Sequence, residues 1–253
     1  MEKGGDILID HNNQEEYRDP MNYDLEFGGE TDKYEFFLQL AKKNPGHVLE
    51  LACGTGLATL YLAERGVPIS GVDIVEPMLA YARVKAKDLP VAFIEADART
   101  FESDQRFSMI FLTGNAFQAF LSDEDQQALL QTAYNHLEPG GIFAFEMRNP
   151  DGNDLSDEEE EHWGTFVDVD GVTVNVSGSQ TYDAEKQIMH WTTVRDWGHR
   201  QTTSRIACRF TDVQTLKQLL SKQGFTLERQ YANWDQTTFQ PSSPMVISVC
   251  KKG

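Results

Sequence analysis

Up to residue 150 the chain alternates short, continuous apolar runs with longer stretches in which apolar residues recur at helical spacing. The runs fall at residues 47–51, 69–72, 92–95, 107–112 and 142–147, and their unbroken apolar character predicts strands covered on both faces. Four helical stretches precede or separate them. Asp32 with Glu35 reads as a capping box, Pro77 stands in a first turn, and Ser122 heads a stretch that ends at Gly140-Gly141. Strand and helix in alternation predict a doubly wound α/β unit around a parallel sheet. No repeat of fixed period is visible.

The rhythm changes after residue 150. Residues 151–161 (DGNDLSDEEEE) hold almost nothing apolar and repel one another, which predicts a mobile surface loop. Residues 163–210 then alternate β-branched and aromatic with polar positions around an Asp170-Gly171 turn, the pattern of an antiparallel β insertion. Thr211 with Gln214 reads as a second capping box, opening a helix that Gly224 closes, and strands follow at 225–231 and 245–250. The organisation expected is an N-terminal segment (1–30), an α/β core (31–150), an acidic loop with a β cap (151–210), and a return to the core (211–253).

Composition narrows the function. With 22 Lys and Arg against 40 Asp and Glu the formal charge is −18, which repels a phosphate backbone or an anionic lipid surface, so neither nucleic acid nor membrane is expected as partner. Cys53, Cys208 and Cys250 are odd in number and far apart, against a disulfide framework or a cysteine metal site. The polar start of the chain and the lack of a long apolar run point to the cytoplasm.

The sharpest local signal is VLELACGTG at 48–56, an apolar strand running into a glycine loop that opens a helix. Gly54 and Gly56 let a backbone approach a ligand closely. Asp73 ends the second predicted strand, where a carboxylate can accept from both hydroxyls of a ribose. Position 59, a third glycine in the dinucleotide pattern, is threonine, and Glu50 just before the loop disfavours a diphosphate while suiting an ammonium and a sulfonium. These electrostatics favour S-adenosylmethionine over NAD.

Through these residues the sequence resembles the class I S-adenosylmethionine-dependent methyltransferases over residues 17–147, and more loosely over 225–251. Residues 50–56, 71–79, 94–98 and 107–115 are similar to that family's first four motifs, and Leu137-Glu138-Pro139-Gly140-Gly141 to the turn before its fifth strand. The resemblance implies a Rossmann-like sheet of seven strands, the last antiparallel, with S-adenosylmethionine across the carboxyl ends of the first strands. It implies Asp73 on the ribose, Asp97 on the adenine amino group with Ala98 supplying a backbone contact, and Ile74 and Met78 packed on adenine. Ala52, Cys53, Gly54 and Gly56 would form the loop, Glu50 would help hold the amino-acid end, and Leu112 would be a wall of cofactor or core. Tyr17 and Tyr23, around Arg18-Asp19-Pro20, resemble the N-terminal segment that folds over the cofactor in small-molecule N-methyltransferases, including those acting on amino sugars.

Methyl transfer by in-line displacement needs positioning more than a strong acid or base, so no catalytic residue is singled out. His162, His190 and His199 lie in or beside the cap and could take a proton. Asn115 and Phe117 after the fourth strand, and Arg148 and Asn149 after the fifth, stand where loops of open α/β sheets face a ligand. The stretch Thr113-Gly114-Asn115-Ala116 is not the Asn-Pro-Pro-Tyr of nucleobase and glutamine methyltransferases, which leaves a small nitrogen or oxygen acceptor. Rival readings are a peptide or protein N-terminal methyltransferase, a protein that binds the cofactor without transfer, and an NAD-dependent oxidoreductase, the last opposed by Glu50 and Thr59. The oligomeric state has no signal in the sequence.

Overall fold

The computed structural model describes residues 11–29 and 31–253, so residues 1–10 and Glu30, part of the expected N-terminal segment, lie outside it. Seven strands make the main sheet: β1 (Val48–Leu51), β2 (Ile69–Asp73), β3 (Ala92–Glu95), β4 (Phe107–Phe111), β5 (Leu137–Arg148), β10 (Phe225–Tyr231) and β11 (Met245–Lys252), in the order β10-β11-β5-β4-β1-β2-β3. β1 runs parallel to both β2 and β4, β4 to β5, and β11 is antiparallel to β5 and β10. The expected strand composition and the antiparallel last strand are therefore present.

Every residue of β1, β2 and β4 is buried, the physical reason for their unbroken apolar runs. Alternate side chains feed two cores. Leu49, Ile110, Phe143 and Phe145 pack with residues of α5 (Asp123–His136) and α6 (Val213–Gln223). Val48, Met109, Phe111 and Ala144 pack with α2 (Asp32–Lys43) and α3 (Leu57–Ala63). α4 (Glu76–Ala86), with Pro77 in its first turn, lies between β2 and β3 in the chain.

Boundaries differ where side-chain chemistry competes. Asp32 and Glu35 form no capping box: Thr31 is the N-cap of α2 without a side-chain bond, and Glu35 instead accepts from Gln39 at 2.5 Å and Tyr61 at 3.1 Å. Asp212, not Thr211, caps α6, because its carboxylate accepts from the amide of Thr215 at 2.8 Å. Ser122 does cap α5, accepting from the amide of Asp125 at 3.0 Å. Helix α5 ends at His136 and the Glu138–Gly141 stretch belongs to β5, with the register against β4 shifting between Phe107 and Met109.

Strands β6 (Glu158–Val167), β7 (Thr173–Asp183), β8 (Ile188–Asp196) and β9 (Gln201–Arg209) form a separate antiparallel sheet in sequence order. The expected loop at 151–161 is corrected at its end: Glu158 to Glu161 begin β6, which pairs on one side only. A row of glutamates suits an edge strand, since it discourages pairing with another chain.

Ahead of the core stand a short 3-10 helix (His11–Tyr17) and α1 (Pro20–Phe27). Helix α1 was not expected, since residues 17–24 lie ahead of the first expected helix; Asp19 caps it by accepting from the amide of Asn22 at 3.1 Å, and Pro20 takes the first position. Among the described residues no helix is long and apolar enough to cross a membrane.

Candidate functional site

A cleft of about 1010 Å³ opens between the carboxyl ends of β1, β2, β4 and β5, the cap sheet and the N-terminal helices. Its floor begins where β1 ends. The loop from Ala52 to Gly56 turns through left-handed backbone at Ala52, Gly54 and Gly56 before α3 starts. Its conformation is fixed from the next strand, because Asp73 accepts from the amide of Gly54 at 2.7 Å and from that of Val75 at 2.8 Å. Burial pushes the Asp73 carboxyl up, and these amide bonds oppose that rise.

Two further carboxyls lie beneath the loops. Glu50 is fully buried and accepts from the hydroxyl of Thr59; burial pushes it up to about 8, against the pull of Thr59. The residue in the third-glycine position thus holds the acid that the sequence argument placed at the ligand's cationic end. Glu146, on β5, accepts from the amide of Asn115 at 3.0 Å and from the hydroxyl of Thr113 at 3.2 Å, which fixes the loop after β4. Burial raises its carboxyl, and the Asn115 amide opposes the rise. Oε2 of Glu146 and Oδ1 of Asn115 are buried without a partner among the described residues.

Asp97, after β3, is bound by Arg99 through Nε and Nη2, and Arg99 reaches Asp125 at 2.5 Å. Burial works to raise the Asp97 carboxyl, but the Arg99 bonds outweigh it and hold it below its usual range. Asp97 remains an acceptor at the cleft wall with part of its capacity taken.

The N-terminal helices close one side. Tyr17 and Tyr23 meet edge to face with centroids 5.9 Å apart, and Tyr23 lies 4.9 Å from Phe27. Burial raises both hydroxyls, so they stay protonated at neutral pH. Asp24 accepts from the Thr55 hydroxyl at 2.5 Å and pairs with Lys85 of α4. Toward the cap, Asn13 exchanges bonds with the backbone of Ala207 at 3.1 and 2.6 Å, and Glu16 and Glu26 both bind Arg195 of β8.

Of the residues singled out from the sequence, Tyr17, Tyr23, Glu50, Ala52, Cys53, Gly54, Asp73, Ile74, Met78, Asp97, Ala98, Asn115 and Arg148 line this cleft. The others do not. Gly56 serves packing, since a Cβ there would meet the Phe93 ring at 2.8 Å. Leu112 and Phe117 are wholly buried in the core, Phe117 stacked 4.5 Å from Phe145. Asn149 is buried and ties Pro241 and Ser243 by their carbonyls at 2.7 and 2.8 Å. His162, His190 and His199 are exposed and outside the cleft. Sequence reasoning missed Glu146, although a lone acid inside the apolar run FAFEM was its signal, and missed the cap-side wall of Trp163, Gln180 and Trp191.

Comparison with known proteins agrees with this geometry. Residues 48–141 match a family model described as a methyltransferase domain. YqeM of Bacillus subtilis (strain 168), provisionally named a methyltransferase, is 25% identical over 231 residues, covering 84% of this chain and 85% of that one. The cypemycin N-terminal methyltransferase of a Streptomyces species is 34% identical over 103 residues, or 41% of this chain and 42% of that protein, so the chain spans less than half of that relative. Among solved structures, the CcbJ methyltransferase from Streptomyces caelestis superposes with a TM-score of 0.82 at 23% identity over 94% of this chain and 98% of that one. CalS10 of Micromonospora echinaspora, an amino pentose methyltransferase with S-adenosylmethionine bound, gives 0.72 at 17% identity over 94% and 98%.

Proposed function

The chain is an S-adenosylmethionine-dependent methyltransferase, and on that premise we propose that it methylates a nitrogen or oxygen of a small molecule held between the carboxyl ends of the main sheet and the cap. The observation that carries this reading is the size and enclosure of the cleft. At about 1010 Å³ it reaches the top of the usual range for a single small-ligand pocket, and it is walled by the core, the N-terminal helices and the cap. That leaves room for a second small molecule beside a cofactor.

The residues present fit S-adenosylmethionine. Asp73 offers two oxygens beside the loop, Asn115 offers a buried acceptor without a partner among the described residues, and Glu50 lines the cleft beneath them. Asp97 and Ala98 stand at the end of β3 with Ile74 and Met78 close by in the cleft wall. When bound, the cofactor supplies a methyl group already activated by its sulfonium. The chain's own share is to orient and to exclude water. Asp73 fixes the glycine loop, Glu146 fixes Asn115, and the Tyr17 and Tyr23 rings cover the cleft where a ring face favours positive charge.

An amine acceptor draws support from the names of two similar proteins, the amino pentose methyltransferase CalS10 and the cypemycin N-terminal methyltransferase. The latter likeness is limited to 41% of this chain, so a peptide terminus is the second reading. The net charge of −18 favours neither nucleic acid nor an anionic membrane as partner. Calorimetry with S-adenosylmethionine and NAD tests the cofactor, with binding expected for the first alone. Incubation with methyl-labelled cofactor and a pool of small metabolites or of short peptides then tests the acceptor. Label found only in peptides would reject the small-molecule reading.

A further inference from the structure

Arg148 closes β5, and its guanidinium is fixed from two sides. Gln118, wholly buried, accepts from the Arg148 amide at 3.0 Å and from Nη1 at 3.4 Å, while its own Nε2 donates to the carbonyl of Arg209 at 3.0 Å. On the other side the guanidinium carbon stands 5.1 Å from the ring centroid of Trp191, whose Nε1 donates to Gln180 at 2.9 Å. Arg148, Trp191 and Gln180 all face the cleft.

What this cation lacks is an anion. Arg99 binds Asp97 and Asp125, Arg195 binds Glu16 and Glu26, and Arg209 binds Asp123, whereas Arg148 has no carboxylate partner among the described residues. The chain has 40 acids to 22 Lys and Arg, so acidic partners are abundant and one is withheld here. Nη1 is taken by Gln118, while Nε and Nη2 make no hydrogen bond to a described residue. Those two atoms form one edge of the guanidinium, whose parallel N–H groups match the two oxygens of a carboxylate.

We infer that Arg148 receives a carboxylate carried by the methyl acceptor, with the Trp191 indole lying along the adjoining part of that molecule. The acceptor is then an acid, and Arg148 determines specificity rather than transferring the methyl group. This rests on the small-molecule reading above. A second source of a carboxylate is the cofactor's own amino-acid end, and Lys33 is another cation at the cleft wall. The two sources are separable by filling the cofactor site first.

The test uses the full chain saturated with S-adenosylhomocysteine and titrated with benzoate, with benzamide as its neutral isostere, followed by calorimetry and tryptophan fluorescence. Saturable benzoate binding is expected, with benzamide weaker by about tenfold or more, the share of one charge-assisted pair. Arg148→Met should erase that preference and leave S-adenosylhomocysteine affinity unchanged, and Arg148→Lys should retain only part of it. Equal binding of benzoate and benzamide, no binding of either, a preference that survives in Arg148→Met, or competition between benzoate and S-adenosylhomocysteine would each overturn the inference. If Arg148→Met does not fold, Arg148→Lys and the wild-type ratio decide. Failure of S-adenosylhomocysteine to bind would count against the methyltransferase reading instead, and the benzoate ratio, measured on the chain alone, would still judge Arg148.

Discussion

Arg195 of β8 holds Glu26 of α1 at 2.6 Å, and with Glu16 and Ser204 completes a network that joins the N-terminal helices to the cap sheet. Arg195 is buried, and both carboxylates are largely so. Burial raises the Glu26 carboxyl, and the hydrogen bond and charge of Arg195 oppose that rise.

Arg195→Met should therefore leave two buried carboxylates uncompensated, a loss on the order of 3–5 kcal/mol for a broken buried pair. A lower melting temperature and faster release of S-adenosylhomocysteine are expected. Adding Glu16→Gln and Glu26→Gln to that variant should recover most of the stability, since no buried charge then lacks a partner. A melting temperature unchanged in Arg195→Met would show that the network contributes nothing.

Asp73 has two duties, since its oxygens hold the amides of Gly54 and Val75 and also face the cleft. Asp73→Ala should weaken S-adenosylmethionine binding by roughly ten- to a hundredfold, the cost of one or more charge-assisted bonds together with a loosened loop. Calorimetry on the folded variant reads this directly. Unchanged affinity would remove Asp73 from the cofactor site.

Glu50 gives a pH test. Its carboxyl is pushed up to about 8 in the free protein, so near neutral pH it is largely protonated. A cationic ligand end placed against it favours the carboxylate and lowers that value, so binding releases a proton and affinity rises as pH increases from about 6 toward 7.5. The sign for stability is the reverse: a raised folded value means that the folded state binds more protons than the unfolded chain, and stability falls as pH rises from 4.5 toward 8. Glu50→Gln should abolish the proton release, measured by calorimetry in buffers of different ionisation enthalpy, and should flatten the pH dependence of melting. Equal proton release in the variant would place the cation elsewhere.

The sequence was most legible where burial on both faces left no choice of residue, as in β1, β2 and β4, and where backbone geometry demanded particular residues, as in the Ala52–Gly56 loop. Strand β3, expected to be covered on both faces, is instead an edge strand in which only Phe93 is buried. It was least legible where one residue type serves two ends. Phe117 and Leu112 have the same apolar character as a ligand wall, and only their place behind the loop after β4 assigns them to the core. Asn149 is a polar residue after a strand, yet its amide is consumed by Pro241 and Ser243, which lie far away in the chain. Glu158 to Glu161 form a strand because a partner strand and an edge position tolerate charge that local propensity disfavours.

The same long-range dependence makes Asp24 the most direct test of the N-terminal segment. It accepts from Thr55, inside the glycine loop, at 2.5 Å and pairs with Lys85 of α4, so one carboxylate links α1 to both walls of the cofactor side of the cleft. Asp24 and Lys85 are partly buried, where an ion pair is screened less than at a free surface. Asp24→Ala should leave the core folded, because the two apolar clusters lie elsewhere, while freeing α1 and with it the Tyr23 ring. S-adenosylmethionine affinity is expected to fall by roughly three- to thirtyfold, the loss of an aromatic contact to a cation together with a loosened loop. Tyr23→Phe should do less to affinity, since the ring remains, yet slow methyl transfer if the hydroxyl orients the acceptor. A folded Asp24→Ala protein that binds S-adenosylmethionine at full strength would show that the segment is held to the core without acting on the cofactor.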